Sequence, residues 1–110
     1  MADTETNVRA ALTTAPNAEV GGLIARTLVE ERLAACVNVI PGVRSIYRWD
    51  GAIQDDPEVV LIIKTRADRC EALAARIEDL HPYDVPEVLV LPAVGGSGPY
   101  LAWISTETKP

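Results

Sequence analysis

Basic residues, metal-binding side chains and long apolar runs are all scarce in this sequence. Ten Lys and Arg stand against sixteen Asp and Glu, a net charge of −6. Phosphate contacts need clustered cations, so a nucleic-acid partner is excluded from the expected functions. No apolar run approaches the roughly 18 residues of a membrane-spanning helix, so no membrane partner is expected. There is one histidine, His81, and there are two cysteines, Cys36 and Cys70, in apolar contexts and outside any C-x-x-C spacing. No charged start followed by an apolar stretch and a small-residue cleavage site opens the chain, and the expected location is the reducing cytoplasm. Neither a Walker loop nor a G-x-G-x-x-G after a strand is present, and there are no internal repeats. A Cys-His nucleophile pair has no identifiable third group to orient it, so an enzyme is not expected.

What is present suits one domain of 110 residues. After a polar start, Val8 to Thr13 reads as a strand, and Pro16 closes it. Asn17 caps a helix whose stripe is Val20, Ile24 and Leu28, with Gly21 and Gly22 permitting a close approach by a neighbour. The stretch from Ala34 to Thr65 reads as a long hairpin turning at Asp50-Gly51, with bends or bulges at Pro41-Gly42 and at Asp55-Asp56-Pro57. A second helix is predicted over about 66–81, with Cys70, Leu73, Ala74, Ile77 and Leu80 inward and Pro82 as its stop. Glu87 to Leu91 reads as a fourth strand. Gly95 to Gly98 reads as a flexible link or an anion cradle, and Pro99 opens a short terminal helix. The order βαββαβ plus a helix predicts an α+β domain of two layers, with helices on one face of an antiparallel sheet.

In such a sheet the second face should be polar, yet Val59–Ile63 and Val88–Leu91 are apolar on both faces. Something must cover that face. Other copies of the chain are the first expectation, and the terminal segment with Tyr100, Leu101 and Trp103 is the alternative.

The blocks "LTTAPN", "VEERLAACVNVIPGVRSIYRWDG", "EVVLIIKT", "LHPYDVPEVLVLP" and "YLAWI", taken together and in this order, resemble the CutA family of divalent-cation-tolerance proteins. The resemblance spans nearly the whole chain. It implies a ferredoxin-like fold, a homotrimer assembled through sheets and long hairpins, a link to copper and other divalent metals, and no settled catalytic activity. Carried over by position, the family's marked residues are Cys36, Tyr47, Trp49, Lys64, His81, Tyr83 and Glu87. Arg48 departs from the pattern, standing where an aromatic residue is expected between Tyr47 and Trp49.

Thiolate and imidazole are donors for a soft or borderline metal such as Cu(II), so Cys36 and His81 are candidate ligands and Glu87 a candidate oxygen donor. The plainer readings stand beside these. Cys36 is also a small buried hydrophobe on a strand, Cys70 a core residue, and His81 the end of a helix before a proline. Two functions are expected: a trimer binding divalent metal, or a signalling or scaffolding trimer, similar in plan to PII-like proteins, with a small-ligand cleft lined by Tyr47, Trp49, Lys64 and Tyr83. A small hydrolase using Cys36 is a third and weaker reading.

Overall fold

The computed structural model describes residues 6–110, and the polar start at residues 1–5 lies outside them. In order they form β1 (Val8–Ala15), α1 (Ala18–Glu30), β2 (Cys36–Trp49), β3 (Ala52–Arg66), a 3-10 turn at Ala67–Arg69, α2 (Cys70–Leu80), β4 (Leu89–Pro92) and α3 (Gly98–Glu107). The strands make one antiparallel sheet in the order β2-β3-β1-β4. This is the expected ferredoxin-like α+β arrangement.

Local chemistry sets the boundaries. The Asn17 side chain accepts from Val20 N–H at 2.8 Å and starts α1. Its end is less ordinary, because Arg32 takes φ 59° where glycine is usual. The second helix is shorter than predicted, since Arg66 still belongs to β3, a 3-10 turn takes Ala67–Arg69, and Cys70 opens the helix rather than lying inside it. Ser97 accepts from Tyr100 N–H and caps α3, so the glycine-rich stretch is a link ending in a helix start at Gly98.

The core lies between the sheet and α1 with α2. Ala11, Thr13 and Ala15 pair with Ile63, Leu61 and Val59, and this face packs on Ile24, Leu28, Leu73 and Ile77, all fully buried. Each such aliphatic side chain contributes about 1.5–3 kcal/mol. The predicted close approach falls on Gly21 alone. A Cβ there would lie 2.8 Å from Val59 Cγ2, whereas Gly22 has open space.

At the far end of the sheet β2 and β3 run on as a two-stranded arm. Asp50 at φ 52° and Gly51 at φ 79° make its two-residue turn, as the Asp-Gly pair predicts. Ile40 pairs with Val60 but Val43 pairs with Glu58, so β2 carries one extra residue at Pro41-Gly42. The second predicted bulge is absent. Residues 55–57 keep register with Arg44, Ser45 and Ile46, and Pro57 is tolerated because β1 ends at Ala15, opposite Val59, leaving the outer edge of β3 open there.

The second face of the sheet is covered only in part. Val8, Ala35, Leu101 and Ile104 pack together, so α3 closes one end, as the alternative expectation had it. Tyr100 and Trp103, however, stack on each other at 5.7 Å and stay exposed. Ile40, Leu89 and Leu91 also remain open to solvent.

Two alanine substitutions check the packing of α1. Gly22→Ala should raise stability by about 0.5–1 kcal/mol, the helix-propensity gain. Gly21→Ala should lower it by about 1–3 kcal/mol, because the stiff Val59 side chain cannot yield. Urea unfolding of both variants measures the difference, and equal stabilisation would contradict the contact.

Candidate functional site

The bulge decides which side chains meet. Strand residues alternate between faces, so Cys36, Asn38 and Ile40 share the uncovered face with their partners Lys64, Ile62 and Val60. One extra residue then reverses the parity of β2. Val43, Ser45, Tyr47 and Trp49 consequently point the same way as Cys36, beside Glu58, Asp56, Gln54 and Ala52. Tyr47 Oη donates to Asp56 Oδ2 at 2.7 Å along this face. Arg48 pairs with Ile53 on the opposite face and does not line the aromatic surface. There Arg44 forms a two-pronged ion pair with Asp55 at 2.8 and 2.7 Å.

The segment after α2 closes over this aromatic surface. His81 adopts extended backbone angles and ends the helix, and its N–H still donates to the Ile77 carbonyl at 2.9 Å. The ring is buried. Its Nε2 lies 2.6 Å from the Thr14 carbonyl oxygen, and Nδ1 accepts from Tyr83 N–H at 3.2 Å. A carbonyl only accepts and an amide only donates, so these partners select the neutral Nε2–H tautomer. The Tyr83 ring lies 4.6 Å from the imidazole, and its hydroxyl donates to Glu58 Oε2 at 2.6 Å. The lone histidine thus ties the turn to β1, and the following tyrosine ties it to the base of the arm.

Between arm and turn opens a cleft of ≈ 670 Å³. Ser45, Tyr47, Trp49 and Glu58 line it from the arm, Thr14 from β1, and Tyr83, Asp84, Val85 and Glu87 from the turn. The structure therefore brings together Tyr47, Trp49, Tyr83 and Glu87 from the predicted site residues. It does not bring Lys64 or Cys36 there. Lys64 bonds to Asn38 Oδ1 and has Cys36 Sγ at 3.9 Å. Their row on the sheet includes Ala10, four residues from Thr14 along β1, which is roughly 13 Å at a strand's rise. Cys36 and His81 are not neighbours within one chain. Burial pushes the Cys70 thiol above its usual range, which suits an unreactive packing residue.

Glu58 and Asp56 are cleft-side residues that sequence reasoning missed. A glutamate opening an apolar strand reads as a solvent-facing end, and only the register across the bulge shows that it faces Tyr83. The signal available was the alternation of Gln54, Asp56 and Glu58, a polar row on one face.

The pattern of CutA1 divalent ion tolerance proteins matches residues 9–107. This chain belongs to the CutA1 family. It is 49% identical over 96 residues to the chloroplastic protein CutA of Arabidopsis thaliana, covering 87% of this chain and 53% of that one. With the divalent-cation tolerance protein CutA of Thermus thermophilus it shares 48% over 97 residues, 88% of this chain and 94% of the relative. The solved structure of the Thermus thermophilus protein superposes with a TM-score of 0.90 at 46% identity, covering 93% of this chain and 99% of that one. The chain spans about half the length of the curated plant relatives it matches, 53% and 54%. No helix among the described residues is long and apolar enough to cross a membrane.

Burial first, and then the Glu58 carboxylate, hold the Tyr83 phenol above the usual tyrosine range. The folded chain keeps this proton where the unfolded chain releases it, near pH 10. Stability from Tyr83 is thus complete below about pH 10 and is lost as pH rises beyond it. Tyr83→Phe should be less stable than the unsubstituted protein by about 1–3 kcal/mol at neutral pH, since Glu58 loses its donor. That gap should narrow above pH 10. Urea titrations at several pH values check this, and a gap that widens with pH would refute it.

Proposed function

We propose that this CutA1-family chain acts as a cytoplasmic homotrimer in divalent-cation tolerance, holding Cu(II) or another divalent ion between copies. The observation that carries this reading is a row across the uncovered face of the sheet. Cys36, Lys64, Ala10 and Leu91 lie side by side there, with Leu89 in the adjoining row and Ile40 in the row beyond it, both exposed. Covering these apolar side chains with further copies would bring Cys36 toward them. The number three is what the family resemblance implies, and the cytoplasmic location is an expectation from the sequence.

Among the described residues no group of three or more His, Cys, Asp or Glu side chains is placed to hold a metal ion. His81 holds both ring nitrogens in bonds of its own chain and ligates only if one is broken. Glu87 is exposed at the cleft, away from Cys36. Donors from more than one copy are therefore part of the proposal, with the Cys36 thiolate as the first of them and His81 and Glu87 as candidates behind it.

The cleft supports a second reading, a trimer of signalling or scaffolding type that binds a small ligand at Tyr47, Trp49 and Tyr83. Native mass spectra with and without Cu(II) separate the two. The metal reading expects a trimer that takes up a fixed number of ions per chain and loses that uptake in Cys36→Ser. A trimer with only a broad, salt-sensitive spread of adducts, unchanged in Cys36→Ser, would overturn it.

A further inference from the structure

On the basis of the homotrimer proposed above, we infer that the Pro41-Gly42 bulge is an aiming device. It sets the direction in which the β2-β3 arm leaves the sheet, and with it how the arm seats against a second copy of the chain.

The bulge sits where the sheet becomes an arm. Ala15, the last residue of β1, pairs with Val59, and the pairs Ile40–Val60 and Val43–Glu58 leave two residues of β2 opposite that same Val59. Past this point β2 is the one neighbour of β3 among the described residues. A bulge bends its strand and increases the local twist, so one placed at the root turns the arm as a whole.

Cross-strand contacts stiffen the ribbon beyond the bend. Arg44 and Asp55 are joined at 2.8 and 2.7 Å on one face, and Tyr47 donates to Asp56 at 2.7 Å on the other. At the base the Tyr83 hydroxyl holds Glu58 at 2.6 Å. A stiff ribbon carries the angle at its root to its tip. The run from Val43 to Trp49 spans roughly 20 Å at a strand's rise, so a small change of angle moves the tip by more than a side chain's width.

The arm carries apolar side chains on both faces. Ile46 and Ile53, 62% and 60% exposed, lie on the face that continues the helix side, and Tyr47 and Trp49 lie on the other. Two strands alone are marginal in water, so a ribbon of this composition is an element that other chains bury. A second copy is the occupant because the surfaces are continuous. Val43, Ser45 and Tyr47 extend the face of Ile40, Leu89 and Leu91, and a copy covering those exposed side chains meets the arm next. Such a surface fits its partner only when the arm arrives at one angle.

Deleting Pro41 tests this, because it shortens β2 by the one residue that β3 does not match. Gly42 then stands opposite Val59, Val43 still meets Glu58, and Tyr47 and Trp49 keep their face. Native mass spectra and sedimentation of the full chain compare this variant with the unaltered protein. The unaltered protein is expected to be a trimer. The deletion variant should keep its far-UV circular dichroism and yet be a monomer, or a trimer that dissociates at about tenfold higher concentration or more. Gly42→Ala is the second variant: it keeps the residue count, has open space for its Cβ and strains only the backbone at φ 76°, so it should weaken the trimer by a smaller factor. Where the deletion variant fails to fold, Gly42→Ala decides. A trimer of unchanged stability in the folded variant would overturn the inference while leaving the homotrimer in place. A monomeric unaltered protein would overturn both.

Discussion

A strand whose side chains alternate strictly can place its residues on a given face only by parity, and β2 changes parity once. The single extra residue at Pro41-Gly42 turns Tyr47 and Trp49 toward Glu58, on the face away from α1 and α2. Gly42, at φ 76°, supplies the backbone conformation that an L side chain resists. In an uninterrupted hairpin the same aromatic residues would share the side of the sheet that carries the helices, and Arg48 would take their place. The cleft, its carboxylates and the tyrosine latch all follow from that one register step.

The latch completes the site by joining segments distant in sequence. His81 reaches 67 residues back to the Thr14 carbonyl, and Tyr83 reaches 25 residues back to Glu58. Both bonds come from the short turn after α2, where Pro82 prevents the helix from continuing. Both ring nitrogens are engaged within the chain, so the ring would have to release one of these bonds before it could bind a metal ion. Its position in the fold is that of a fastener between the helix layer and the sheet, which holds the cleft-side turn where Asp84 and Glu87 face the arm.

Charge is distributed along the uncovered face in a way that separates two regions. The row of Cys36 and Lys64 carries a thiol and a cation beside exposed leucines, while the row of Glu58 carries anions beside aromatic rings. The resemblance grouped Lys64 with Trp49 and Tyr83 because they share family motifs, but strand register places them in different rows.

The sequence by itself determined the order of elements, the two-layer α+β class, the Asp-Gly turn, the Asn17 cap and the family. Each depends on local rules: side-chain periodicity, turn residues that tolerate positive φ, and motifs contiguous in the chain. It also showed that a second sheet face is apolar, because Val59–Ile63 has no polar alternation. Tertiary structure decided what those rules cannot reach. Whether Asp55-Asp56-Pro57 forms a bulge depended on β1 ending before Pro57, not on the tripeptide. Which face Tyr47 occupies depended on pairing across the bulge, and His81 proved to be a tie because Thr14, in a strand far earlier in the chain, lies against its ring. Faces and partners of this kind are fixed by strand register, a relation between distant residues that no local pattern encodes.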